Sequence, residues 1–204
     1  MKIVDIHTHR LRKDAIVARR PDEPLPGGYL FSVGVHPWHA GMESVALLPD
    51  LLGRDDVVAI GECGLDSLHG PEAMVQREVF EAQAAMASAL GMPLIIHCVK
   101  AVDGILAVKR RLKPANPWIF HGFRGKPQQA LQLIDNGFYL SFGPRFNPQS
   151  AAAIPPERLL IETDDTDADI SAVALAVAEA RTTGQEEIMR ICSENVSKIL
   201  KRHG

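Results

Sequence analysis

The 204-residue sequence predicts one α/β domain spanning residues 1–204, folded as a TIM-type (β/α) barrel of seven or eight strands. Three observations carry that expectation. Short β-branched or apolar runs alternate with helical stretches along the chain, the pattern of βαβ units on a parallel sheet. The runs lack the polar alternation of a half-exposed sheet and read as strands buried on both faces. No Gly-rich dinucleotide loop follows the first run, which removes the commonest reason to prefer a Rossmann sheet.

The runs place strands at 3–6, 30–35, 57–60, 94–96, 118–120, 138–142 and 159–161. The clearest helix covers 72–90, where Val75, Val79, Met86 and Leu90 form an apolar stripe at helical spacing. Gly70-Pro71 opens it, and Gly91 followed by Pro93 closes it. Weaker helical patterns cover 45–52, 102–112, 127–136, 172–182 and 185–201. The stretch 10–28, with Arg19-Arg20-Pro21 and a Pro/Gly-rich end, reads as irregular. If the parent barrel has eight strands, one is expected to have been lost there.

Hydrophobic residues make up 46% of the chain and charged residues 23%, which excludes disorder as the default. The net charge of −3 gives no global basic field for nucleic acid or anionic membrane, so an anionic partner must be caught locally. Cys63, Cys98 and Cys192 are an odd set without a CxxC pair, against a disulfide framework. No run approaches membrane length, and the first ten residues turn polar too soon for a signal peptide. The expectation is a reduced, cytoplasmic, monomeric protein with no membrane partner.

The strand ends carry the chemistry. The first run leads through Asp5, His7 and His9, which share a face because residues two apart in a strand point the same way. Later runs end at His36, Glu62, His97, His121 and Asp164. In a parallel barrel every C-terminal strand end opens on the same mouth. A lone histidine at a strand end is more often structural than a ligand, but metal-ligand types recurring at five strand ends point to a metal site. His7, His9, His97, His121, Glu62 and Asp164 are too many donors for one tetrahedral ion. They suit two divalent ions about 3.5–4 Å apart. His36 stays open between a pocket or substrate contact and a structural role. His39, His69 and His203 read as surface or loop residues, Cys63 and Cys98 as packing residues turned away from the mouth, and Cys192 as core.

These pieces resemble the TatD-type metal-dependent hydrolases, the TatD DNase family of amidohydrolase-like barrels. The matching segments are DIHTH (5–9), VGVHPW (33–38), AIGECGLD (59–66), PLIIHC (93–98), FHGFRG (120–125) and LLIETDD (159–165), with Gln76, Phe80 and Gln83 at the family's Q…F..Q positions. The resemblance implies that His7, His9, Glu62 and Asp164 hold one ion and Glu62, His97 and His121 the other, with Glu62 bridging. It implies Mg²⁺, Mn²⁺ or Zn²⁺ as cofactor, water activated by the metals as nucleophile, and Asp164 as general base. The implied activity is phosphodiester hydrolysis, as an exodeoxyribonuclease on DNA or an oligonucleotide, or on a small phosphorylated molecule. Amide or ester hydrolysis of a small molecule is the alternative; Glu62, where related barrels carry a carboxylated lysine, favours the TatD side. His36, Lys100 and Arg124 are the expected substrate contacts, within a wider set of loop cations that includes Arg10 and Arg12. Departures from the family pattern are Val99 in place of the usual arginine, FHGFRG for HCFSG, and Asp165-Thr166 after the expected base.

Overall fold

Eight parallel strands close into a barrel in strict sequence order, as seen in a computed structural model that describes residues 3–201; His203 lies outside the described residues. The elements are β1 (Asp5–Thr8), β2 (Ala15–Arg19), β3 (Leu30–Val33), α1 (Met42–Val45), α2 (Leu48–Leu52), β4 (Val57–Asp66), α3 (Ala73–Leu90), β5 (Leu94–Val99), α4 (Val102–Leu112), β6 (Trp118–Phe120), α5 (Pro127–Asp135), β7 (Phe138–Phe142), α6 (Pro148–Ala153), β8 (Leu159–Ile161), α7 (Ile170–Arg181) and α8 (Gln185–Ile199). A 3-10 turn, Pro37–His39, follows β3. No helix among the described residues is long and apolar enough to cross a membrane.

The eighth strand is β2, inside the stretch the sequence left irregular. Ala15, Ile16, Val17 and Ala18 are all buried, and Asp5 and Thr8 of β1 pair in parallel with Ala15 and Val17. Four small or β-branched residues suffice for a buried barrel strand, and the arginines and prolines after them belong to the next loop. Nothing was lost here. The expected helix 45–52 is two short helices instead: Pro49 lacks an amide proton and is accommodated in the first turn of α2.

The chain packs as two compact units, one made of residues 3–17 with Ile119–Lys201 and the other of Ala18–Trp118. In the second, α3 buries Val79, Phe80, Ala84 and Ala87, with Gln76 and Gln83 among them, while Leu90 is 52% exposed. Of the stripe the apolar spacing predicts, Val79 is buried, Val75 and Met86 are half-buried and Leu90 is exposed, so the buried face is turned toward Gln76, Phe80, Gln83 and Ala87. Two glutamines sit inside it because loop backbone satisfies them: Gln83 bonds both the amide and the carbonyl of Val35. Phe80 meets the fully buried Trp118 edge to face, with ring centroids 5.7 Å apart, and a buried aromatic of this kind contributes roughly 1.5–3 kcal/mol. Gly91 ends α3 at φ +63, where its amide caps the helix. In the first unit, β1 pairs with β8 and β7 with β8. Phe123, Phe142 and Phe146 stack edge to face along the ends of β6 and β7.

Candidate metal centre

In the first unit, polar bonds fasten the end of β1 to the segment after β8. The Asp5 carboxylate accepts from the Thr163 amide (3.1 Å), the Thr163 hydroxyl (2.6 Å) and the His7 amide (3.3 Å). Burial pushes the Asp5 carboxyl up to about 7 in spite of these bonds. Asp164 follows with φ +56, a left-handed backbone rare for a residue with a side chain. Three bonds hold it there: its amide donates to His7 O (3.0 Å), and its carbonyl accepts from the His9 amide (3.1 Å) and the Thr8 hydroxyl (3.2 Å).

That backbone aims the Asp164 carboxylate at the β1 histidines. Its Oδ1 lies 3.6 Å from His7 Nε2 and 3.7 Å from His9 Nε2. The His121 ring is 4.3 Å from that of His7, and His7, His121 and Asp164 each offer a ligand atom within 4.8 Å of the others. Glu162, fully buried, places Oε1 3.2 Å from His121 Nδ1. A carboxylate on Nδ1 leaves Nε2 of that ring as the donor for a metal.

In the second unit, β4 runs six residues past its expected end, to Asp66, and alternation puts Glu62, Gly64 and Asp66 on one face. Glu62 Oε1 lies 2.7 Å from His97 Nδ1 and 3.1 Å from His36 Nε2. His97 Nε2 is 3.3 Å from Asp66 Oδ2, so the carboxylate-backed imidazole recurs and Nδ1 faces Glu62. His36, Glu62 and His97 also bring three ligand atoms within 4.8 Å of one another. His36 differs from the other two. Its Nδ1 accepts the Trp38 amide proton (3.1 Å), so in the neutral ring Nε2 carries the hydrogen and donates it to Glu62. That is the chemistry of a hydrogen-bond donor and not of a ligand.

Asp66 is the best-anchored carboxylate of this unit. Burial would raise its carboxyl, but bonds from the Trp38 indole, the Leu68 amide, His97 and the His69 amide outweigh it and bring it down to about 2. Gln76 bonds its backbone amide and carbonyl. Gly64, at φ +149, lies beside His97 in the neighbouring strand, and a Cβ there would run into the His97 carbonyl.

The donor set is imidazole and carboxylate, which fits zinc, manganese or magnesium. No cysteine among the described residues belongs to these candidate ligand groups. Burial pushes Cys63 well above its ordinary range and Cys98 and Cys192 up to about 12. Lys100 and Arg124 are exposed on the loops after β5 and β6. Arg10 and Arg12, also expected among the loop cations, are engaged by their own unit: Arg10 pairs with Asp167 (2.8 Å), and Arg12 donates to the Ala168 carbonyl (2.9 Å). Asp66 and Glu162 went unrecognised in the sequence, although both lie within quoted segments, AIGECGLD and LLIETDD. The signal was a second carboxylate two residues before Asp164 and four after Glu62.

Comparison with known proteins identifies the family and the fold. The family described as TatD related DNase matches residues 22–201. The uncharacterized metal-dependent hydrolase YabD of Bacillus subtilis is 32% identical over 196 residues, covering 83% of this chain and 76% of that protein. A protein of Pantoea ananatis named 3′-5′ ssDNA/RNA exonuclease TatD is 37% identical over 146 residues, covering 65% of this chain, which spans 56% of that relative's length. In fold, the TatD homologue YJJV of Escherichia coli K12 superposes with a TM-score of 0.82 at 20% identity, covering 98% of both chains. With its eight-stranded barrel and paired imidazole–carboxylate clusters, the chain belongs to the TatD-related DNase family and is a TatD-type metal-dependent hydrolase.

Proposed function

We propose that this chain is a phosphodiesterase that degrades short single-stranded DNA or oligonucleotides with two divalent ions. The observation that carries the reading is the repeated pairing of a buried carboxylate with one nitrogen of a ligand-type histidine, Glu162 on His121 and Asp66 on His97. Such backing fixes ring orientation and tautomer and raises ligand basicity, which a merely structural histidine does not need. The proposed ligands are His7, His9, His121, Asp164, Glu62 and His97. The ions, when bound, polarise the scissile phosphoryl oxygen and make water acidic enough to attack it.

The remaining work falls to the protein. Asp164 takes the proton of the attacking water, its carboxylate held in place by a backbone that three hydrogen bonds keep left-handed. His36 donates to Glu62 and keeps that carboxylate oriented. Lys100 and Arg124, exposed beyond β5 and β6, are proposed to meet backbone phosphates; the planar fork of arginine suits them. The name of the Pantoea relative and the family match support the substrate class.

The test is cleavage by metal-stripped protein after adding back Mg²⁺, Mn²⁺ or Zn²⁺, on short single-stranded DNA beside bis-p-nitrophenyl phosphate. Metal-dependent cleavage that Asp164→Asn abolishes is the expected result. No cleavage of either substrate by protein with metal demonstrably bound overturns the reading and directs the search to amides and esters of small molecules.

A further inference from the structure

Trp38 is 48% exposed, yet its ring is not free to move. Its Nε1 donates to Asp66 Oδ2 at 2.6 Å, the same oxygen that lies 3.3 Å from His97 Nε2. His36 meets the indole edge to face at 4.9 Å, and the His69 ring lies 5.4 Å away. Asp66 is itself 4% exposed, and its Oδ1 accepts the amides of Leu68 and His69. An exposed indole that the surface merely tolerates gains little from being pinned, because pinning costs side-chain entropy and leaves apolar area in water. Here a short, charge-assisted bond to a buried carboxylate fixes a planar apolar face beside the His36–Glu62–His97 cluster.

We propose that Trp38 is a substrate-binding residue that stacks on a nucleobase of the nucleotide being cleaved, with Asp66 as its positioning residue. The nucleobase as partner rests on the phosphodiesterase reading above; the planar, pinned platform does not. Stacking on an indole accepts any base, because every base has a π-face, and so it gives affinity without sequence choice. The shared Asp66 oxygen ties the platform to His97. The stacked base is thereby held at a fixed reach from the cluster, which sets where the chain presents its phosphate.

Two measurements test this. The protein has two tryptophans, and the other, Trp118, is fully buried. Quenching of tryptophan emission by deoxyadenosine monophosphate, titrated into metal-loaded protein, therefore reports on Trp38. Saturable quenching that disappears in Trp38→Phe, where only Trp118 emits, is expected; no quenching in the parent overturns the proposal. The second is cleavage of a short oligonucleotide with either a normal or an abasic terminal residue. The parent is expected to show a KM about tenfold lower for the base-bearing strand. Trp38→Leu should raise KM for the base-bearing strand and so erase that difference between the two strands. Equal KM values in the parent, or a Trp38→Leu loss confined to kcat and the same on both strands, overturn stacking and leave Trp38 a structural residue. If no oligonucleotide is cleaved at all, the phosphodiesterase reading fails by itself and the fluorescence titration still decides the stacking.

Discussion

Replacing Asp164 by asparagine keeps the shape of the side chain and removes its capacity to accept a proton. The residue sits at φ +56, a conformation that costs an ordinary L-residue about 1–2 kcal/mol and that Asn tolerates much as Asp does. Its amide and carbonyl are bonded to His7, His9 and Thr8 independently of the carboxylate. Asp164→Asn should therefore fold like the parent, with a melting temperature within about 2 °C. Asp164→Ala, which lacks that tolerance, should lose about 1 kcal/mol of stability. Removing a general base costs about 10²–10⁴ in rate, equivalent to roughly 2.7–5.4 kcal/mol of transition-state stabilisation. The assay is kcat on bis-p-nitrophenyl phosphate at saturating metal, with bound metal measured alongside so that lost ligation is not mistaken for lost base catalysis. A folded, metal-replete Asp164→Asn enzyme whose kcat stays within about fivefold of the parent refutes the assignment.

Glu162→Gln and Asp66→Asn should each weaken metal affinity by about 10- to 100-fold, read by competition with a chelator; unchanged affinity would reduce both carboxylates to packing. Gly64→Ala must move the His97 backbone and should cost roughly 2–3 kcal/mol, seen as a melting temperature lower by about 5–10 °C. Alanine at Lys100 or Arg124 should raise KM for oligonucleotides and flatten its salt dependence while sparing kcat; no change in either quantity removes them from phosphate binding. The Asp5 carboxyl, raised by burial to about 7 from an ordinary 3.8, binds its proton more tightly in the folded chain than in the unfolded one. Its stabilising contribution is complete below the unfolded value and is lost as pH rises through the folded one. Asp5→Asn should accordingly flatten the fall in stability of the metal-free protein across that window, measured by urea unfolding.

The strand-end residues were legible because barrel topology converts a pattern along the sequence into a place in space. His7 is found against Asp164, His97 against Glu62 and His121 against Glu162, a carboxylate the sequence reading did not single out. What stayed hidden was which carboxylate meets which ring. That depends on how far β4 runs and which way its residues alternate, and the run of apolar residues ends at Ile60, well before Asp66. β2 was masked by composition, its four buried residues followed at once by arginines and a proline. The interior face of α3 was misread because periodicity treats glutamine as a surface residue. Gln76 and Gln83 are buried because backbone amides and carbonyls at the end of β4 and in the loop after β3, which no sequence pattern displays, bond their side-chain amides.

The first unit is discontinuous, and this bears on how the chain matures during synthesis. Residues 18–118 form a continuous stretch that the ribosome delivers in one piece. The strand carrying His7 is made first, yet one of its neighbours, β8, and the carboxylate it faces, Asp164, come more than 150 residues later. Such long-range pairing is slow, because loop closure must be met before any contact rewards it. Until β8 emerges, His7 and His9 stand without the Asp164 carboxylate that lies 3.6 Å and 3.7 Å from their Nε2 atoms in the folded chain. A chain stalled before residue 164 would accordingly lack the carboxylate that faces both imidazoles in the folded protein.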